Sequence, residues 1–325
     1  MPQEGYPVTD TDEQRYAFFG GDFVPFEDAK VSVMTHAFNY GTGVFEGIRG
    51  YWNQEHERLY IVELRKHYER LHKNTALMCI NVPYSVDELI DLTVHLVKMN
   101  GFRTDVYVRP IAYKSSEQIG VSMEGVTDAF TIVAAPFGNY VDIEHGLSVC
   151  VSSWQRTADN AIPGRAKVTG NYANTALVKN EAVLNGYDEG LVLNHLGHVI
   201  EGSAENLFLV RDNTVVTPGK DEGILEGITR DIIIELAANE LELPTVERPI
   251  ARSELYYADE IFLTGTGAQV APVTRVDQRK VGNGEIGPIS RALQKIYFDV
   301  VRGRDSRYRD RLTAIDNVPA AAAAS

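Results

Sequence analysis

Alternating or β-branched runs at 30–34, Arg58–Val62, 106–113 and 129–135, each bounded by turn formers, predict strands in the first half of the chain. Between them, 63–77 carries Leu64, Tyr68, Leu71 and Leu77 at close to helical spacing. Ser85 precedes Val86-Asp87-Glu88, an apolar-periodic run to Met99, and then Gly101. That is an N-cap, a capping-box glutamate at the right offset, and a glycine stop. A second set of strands follows from about Leu147. The runs 189–194 and 198–200 flank Leu196-Gly197 as a hairpin, and 206–210 continues it. Gly227-Ile228-Thr229-Arg230 opens an amphipathic run through Ile232, Ile233, Leu236, Ala237 and Leu241. The run 260–263 is strand-like and leads straight into Gly265-Thr266-Gly267, and Pro288–Val301 reads as a final helix. The polar stretch 138–146 is the best linker candidate. The pattern predicts an α+β (mixed α/β) chain of two domains: a small N-terminal one at 1–141, a linker at 142–146, and a larger C-terminal one at 147–325.

Composition narrows the function classes. A length of 325 residues suits two domains, and 44% apolar with 23% charged residues is ordinary globular usage. The net charge of −14 makes the chain a poor coat for nucleic acid or anionic membrane, and neither is expected as a partner. Cys79 and Cys150 lie far apart without a CxxC spacing, as buried thiols of a reducing compartment do; no metal site is expected. No run approaches the roughly 18–20 apolar residues that span a bilayer. The first residues lack the basic and apolar segments of a secretory signal, so a cytoplasmic setting is expected. The arginines at 302, 304, 307, 309 and 311 alternate with acids and read as a solvated end.

Nucleotide motifs are close but incomplete. Gly41-Thr42-Gly43 is followed by Gly47 one residue too late for G-x-G-x-x-G, and Gly265-Thr266-Gly267 has Val270 at the third position. Lys167, among small and polar residues before Gly170-Asn171-Tyr172, reads either as a loop lysine or as a nucleophile, which requires a partly desolvated amine. Gly227-Ile228-Thr229 reads either as a capped helix start or as an anion site made by free N–H groups and the helix dipole. Thr264 to Gly267 reads as a tight turn or as an amide nest. Tyr107 and Arg109 project on the same face of one strand. A buried arginine there needs an anionic partner; one at a sheet edge does not.

In order along the chain, 36–51 (with Phe45-Glu46-Gly47-Ile48-Arg49), Tyr107-Val108-Arg109-Pro110, 167–172, 201–208, Gly227-Ile228-Thr229-Arg230 and 264–268 resemble the blocks of class IV pyridoxal-phosphate aminotransferases, specifically the branched-chain amino-acid branch. The resemblance covers nearly the whole chain. It implies the type IV pyridoxal-phosphate fold, two domains with the active site between them, and pyridoxal 5'-phosphate as cofactor. Lys167 is then the Schiff-base lysine, carried on the C-terminal domain. Glu201 matches the carboxylate on the pyridinium nitrogen, where its charge keeps the ring protonated. Tyr172 matches the phenol on the ring oxygen. Arg70 matches the phosphate-binding arginine, whose forked donors suit phosphate oxygens. Gly227, Ile228, Thr229 and Thr266 complete the phosphate cup.

For substrate, the resemblance implies an apolar wall from Tyr40, Phe45, Tyr140 and Tyr172. Arg109, with the Tyr40 and Tyr107 hydroxyls, receives glutamate's distal carboxylate, and Thr266-Gly267-Ala268 holds the α-carboxylate. Gly47 and Arg49 line the same cavity. Tyr40 and Tyr107 reach across from the other subunit, so a homodimer, or a higher oligomer, is implied. Gly267 stands where relatives often have Ala, and Gln269 where they have Glu; the glycine adds backbone freedom to the α-carboxylate cradle. The implied reaction is ping-pong exchange of the amino group between L-leucine, L-isoleucine or L-valine and 2-oxoglutarate. The rival readings are a D-amino-acid or (R)-amine transaminase, an aminodeoxychorismate lyase, or a binding protein that kept the scaffold. An intact Lys167 with Glu201 weighs against the last.

Overall fold

The computed structural model describes residues 15–138 and 141–316. The chain forms two compact units. The first takes the residues up to Gly138, Ala166–Gly170 and the segment from Val300 onward, and the second takes Asn139–Arg165 and Asn171–Asp299.

The first unit is built on an eight-stranded sheet. Its order is Leu312–Ile315, Arg58–Val62, Ile48–Asn53, Val106–Lys114, Asp128–Pro136, Tyr16–Phe19 and Asp22–Pro25. The eighth strand, Gly43–Phe45, lies beside Val106–Lys114, in line with Ile48–Asn53. Glu46 and Gly47 fall in the break between these two short strands, and the Glu46 N–H still donates to Pro110 O at 3.0 Å. The interruption frees the Glu46 side chain from the strict alternation of a continuous strand. The helix Leu64–Leu77 turns Leu64, His67, Tyr68 and Leu71 inward, the three-and-four spacing of one helical face, and packs against Val86–Met99.

The predicted capping box is present. Ser85 Oγ accepts from the Glu88 N–H at 3.3 Å, and Glu88 Oε2 accepts from the Ser85 N–H at 2.7 Å. Ser85→Ala is expected to lower unfolding free energy by about 1 kcal/mol. The check is equilibrium denaturation of cofactor-loaded protein; an unchanged midpoint would mean that neighbouring packing, not the cap, holds this helix end.

The second unit carries a nine-stranded sheet that includes Leu147–Gln155, Glu189–Leu193, Val199–Glu201, Asn206–Arg211, Glu260–Gly265 and Gln269–Val276. Leu147–Gln155 pairs in parallel with both Glu189–Leu193 and Gln269–Val276, and the remaining neighbours among these six are antiparallel. The helix Tyr172–Leu184 packs over Leu147–Gln155 and Glu189–Leu193, and Ile228–Leu241 packs on Glu260–Gly265. Leu147, Val149, Leu191, Leu207, Leu209, Ile261, Leu263, Ala271 and Val273 form the core.

Four expectations change. Residues 30–34 are no strand: Val31, Val33 and Met34 are exposed and no strand pairs with them, so β-branched composition alone misleads. The proposed linker 142–146 is part of the second unit, because Val141 and Ile143 bury in its core and Gln294 Nε2 donates to Ile143 O at 2.8 Å. The boundary therefore falls at Gly138, and the two-part division at 141 and 147 does not describe the chain. Lys167 and its neighbours join the first unit, not the C-terminal one, because backbone bonds decide it: Val44 bridges Val168, the Phe45 N–H donates to Lys167 O, and the Gly170 N–H donates to Gly41 O. The C-terminal arginines are likewise not all solvated. Arg302 donates to Trp52 O at 2.9 Å and pairs with Asp105, and Arg311 pairs with Glu63, which fastens the terminal strand.

Candidate functional site

In the first unit the chemistry gathers around Lys167. Its carbonyl is held at 3.1 Å by the Phe45 N–H, and its Nζ lies 5.1 Å from the Phe45 ring centroid. Thr169 Oγ1 donates to Gly41 O at 2.8 Å and to Gly43 O at 3.1 Å. A Cβ on Gly41, whose φ is +68°, would come within 2.6 Å of Gly170 Cα, so the lysine segment depends on glycine there. Burial pushes the Lys167 amine down to about 8. The Arg70 and Arg109 cations act in the same direction, while Glu46 and Tyr107 oppose them. A neutral, nucleophilic amine is thus within reach near neutral pH.

Arg109 projects beside the lysine. Its Nη2 donates to Tyr107 Oη at 2.8 Å, and its guanidinium lies 4.4 Å from the Phe45 centroid. Arg109 Nε is buried without a hydrogen-bond partner, and among the described residues no carboxylate pairs with this cation. A half-buried cation resting on aromatic rings in this way can receive an anion. Gly47 makes room for the arrangement, since a Cβ there would fall 2.1 Å from Tyr107 Oη. Tyr107 therefore stands in one cluster with Phe45, Gly47 and Arg109, and it bears on Lys167 of the same chain. That corrects the expectation that it reaches across from another subunit: alternation along Val106–Lys114 places it on the Arg109 face of its own sheet. Tyr40 behaves differently. It is exposed, and its Oη accepts from the Gly120 N–H at 3.0 Å.

Arg49 is buried, donates through Nη2 to Phe137 O and Gly138 O at 3.2 and 2.7 Å, and lies over the Tyr51 and Phe137 rings. Its charge serves the end of strand Asp128–Pro136. Tyr140 lies outside the described residues.

Sequence reasoning missed two members of this cluster. Arg70, the expected phosphate arginine, is gripped by Glu46: Nε donates to Oε1 and Nη2 to Oε2, both at 2.7 Å. His67 Nδ1 lies 2.8 Å from Glu46 Oε2. Burial lowers the His67 pKa, so the imidazole is neutral and Nδ1 carries the proton donated to the carboxylate. Burial tends to raise the Glu46 carboxyl, but Arg70 and His67 outweigh it and hold it at about 2. The spacing of Arg70 and His67 on one helical turn was a signal; their partner, 24 residues before Arg70, gave none.

In the second unit, Glu201 ends the strand Val199–Glu201, buried, with Oε1 2.9 Å from Arg156 Nε. Arg156, also missed, is fixed by the carbonyls of Gly202 and Ser203 and by Asn174 Oδ1. It sets a cation against the buried Glu201 carboxylate. Nearby, burial pushes the Glu205 carboxyl up to about 8, with Glu189 and Glu201 adding to it. Tyr172 opens the helix Tyr172–Leu184 and is half-buried.

The helix Ile228–Leu241 starts at Gly227 with no capping side chain, leaving the N–H groups of its first turn for another acceptor. Gly227 is required there, since a Cβ would fall 1.9 Å from Asn206 Oδ1, and Asn206 Nδ2 in turn fastens Leu225 O at 2.8 Å. The turn Thr266-Gly267-Ala268 links the paired residues Gly265 and Gln269. Gln269, buried at φ +62°, takes the left-handed conformation that closes a three-residue hairpin loop. Thr264, one residue before this hairpin closes, has a buried Oγ1 without a partner.

Residues 43–276 match the family model described as amino-transferase class IV. A probable branched-chain-amino-acid aminotransferase of Aquifex aeolicus is 49% identical over 300 residues, covering 92% of this chain and 96% of that protein. Among solved structures, the branched-chain aminotransferase of Thermoproteus uzoniensis with norvaline superposes with a TM-score of 0.89 at 41% identity, covering 93% of this chain and 99% of that one. The pyridoxal-phosphate form of the Thermobaculum terrenum branched-chain aminotransferase gives 0.89 at 38% identity, with 94% and 99% covered. Family match, relatives and fold agree with the residues assembled above, and this chain belongs to the class IV aminotransferases, in their branched-chain amino-acid branch.

Proposed function

We propose that this protein exchanges the amino group between L-leucine, L-isoleucine or L-valine and 2-oxoglutarate with pyridoxal 5'-phosphate as cofactor. The observation that carries the reading is Arg109: a cation without an acidic partner among the described residues, laid on the Phe45 ring in the cluster that holds the lowered Lys167 amine. An apolar face beside an unmatched cation accommodates a branched aliphatic side chain and, in turn, a side-chain carboxylate.

The residues fit the cofactor. When bound, it supplies an aldehyde for the amine and a ring that takes up the electron pair left when the substrate loses its α-proton. Lys167 would hold the aldehyde carbon and, as a free amine, would move the proton at the substrate's Cα. Glu201, paired with Arg156, would hold a proton on the ring nitrogen. Tyr172 donates to the ring oxygen. Arg70, the uncapped first turn at Gly227, Ile228 and Thr229, and Thr266 supply donors for the phosphate. Thr266-Gly267-Ala268 would orient the substrate α-carboxylate, Gly47 would border the substrate, and Phe45, with Tyr40 reaching across from a second copy, would exclude water from its side chain.

A second copy of the chain is the expected partner. Val33, Phe38, Ile119 and Val121 are more than two-thirds exposed. Their two segments are tied together by the Thr35–Glu117 bridge and the Gly120-to-Tyr40 bond, an apolar patch of the kind that marks an interface. Cys79, exposed where a buried thiol was expected, and buried Cys150 are free thiols, in keeping with a cytoplasmic setting.

The test is the visible spectrum of loaded protein, before and after L-leucine alone. Loss of the yellow band, restored by 2-oxoglutarate, is the expected result. A band that ignores L-leucine but answers a D-amino acid or an (R)-amine would overturn the substrate assignment, and no band with added cofactor would overturn the cofactor.

A further inference from the structure

Glu46 is a buried, densely bonded carboxylate of the first unit, and the reaction as described does not use it. It is fully buried, it takes two charge-assisted bonds from the Arg70 fork and a third from His67, and its charge acts on Lys167. Its backbone position is equally constrained. Its N–H is tied to Pro110 O, and the preceding residue, Phe45, holds the Lys167 carbonyl through its own N–H. One dipeptide thus grips the lysine by its main chain and the arginine by its side chain. We propose that Glu46 is a positioning residue that sets Arg70 in register with Lys167, so that the arginine meets the phosphate of the cofactor whose aldehyde the lysine holds.

This rests on the functional reading above and deepens it. A guanidinium on a helix has several rotatable bonds, and side-on capture of Nε and Nη2 by one carboxylate removes most of that freedom before any ligand arrives. His67, neutral and buried, fixes the carboxylate from the other side. The ionisable groups that bear on Lys167 here are Arg70, Glu46, Tyr107 and Arg109, so removal of Glu46 also leaves three cations facing one another with less compensation.

The experiment measures the affinity of cofactor-stripped, full-length protein for pyridoxal 5'-phosphate and, separately, for pyridoxal, which lacks the phosphate. Glu46→Gln keeps the shape and removes the charge; it is expected to weaken pyridoxal 5'-phosphate at least tenfold while leaving pyridoxal within about twofold. Glu46→Asp keeps the charge that the buried Arg70 and His67 require for folding, but sets the carboxylate short by one bond, about 1.5 Å. It is expected to weaken pyridoxal 5'-phosphate severalfold with the same selectivity, and it serves if the glutamine variant does not fold. In an Arg70→Gln background the effect of Glu46→Gln on the ratio of the two affinities is expected to vanish, because Glu46 acts through that arginine. Equal losses for both ligands, or a ratio unchanged in both variants, would overturn the proposal. Failure of the unsubstituted protein to bind pyridoxal 5'-phosphate would instead overturn the functional reading.

Discussion

Lys167→Ala is expected to leave a folded protein whose transamination rate falls by about 10⁴-fold or more, since both the covalent anchor and the base that moves the α-proton are lost. The structure supports so large a figure because the amine is prepared for the role. Burial and two neighbouring guanidinium groups bring it down to about 8, so that at pH 7 roughly a tenth of it is already neutral. The fold should tolerate the change, because the segment is held by main-chain bonds from Phe45 and Gly41 and by Thr169 Oγ1, none of which involves the amine. The measurement is the single-turnover half-reaction with L-leucine, followed by visible absorbance, alongside thermal denaturation. Retained turnover in a folded variant would sink the mechanism.

Arg109→Leu is expected to separate the two kinds of substrate. Loss of the Arg109 guanidinium from the Phe45 ring removes a charge-assisted bond of about 2–3 kcal/mol to a side-chain carboxylate, which raises KM for 2-oxoglutarate and glutamate roughly 30- to 150-fold. Leucine needs no such partner, and the new side chain covers the same ring, so its half-reaction should stay within about threefold, less than 1 kcal/mol. The substitution also frees Tyr107 Oη from its bond to Arg109, but Gly47 still leaves that phenol its place. Steady-state kinetics with each substrate decides it. Equal damage to leucine and glutamate would mean that Arg109 shapes the cluster rather than selecting the acid.

The features legible along the chain are those written within one helical turn or one strand. The Ser85 cap with Glu88, the inward face of Leu64–Leu77, and the pairing of Tyr107 with Arg109 on one strand face all follow from short spacings. The start of a helix at Gly227 was readable for the same reason, though not that the glycine is demanded by Asn206, a residue on another strand. Residues 30–34 show the converse. Their β-branched composition suits a strand, but a strand also needs a partner, and composition does not say whether one is present.

Charge pairing was the least legible. Arg70, with acceptors unknown, reads as a phosphate arginine; only the folded chain brings the Glu46 carboxylate into its fork. Arg156 offered no signal at all, yet it is what pairs with buried Glu201. Likewise, the resemblance assigned Lys167 a role but not its company. The backbone bonds from the 41–45 segment draw it into the first unit, where Arg70 and Arg109 lower its pKa. By itself the sequence determined most element types and the family, because these are set by local periodicity and by residue order. The tertiary structure alone decided which charges are paired and which cation is left for substrate, because ion pairing and desolvation depend on distances between residues far apart in the chain.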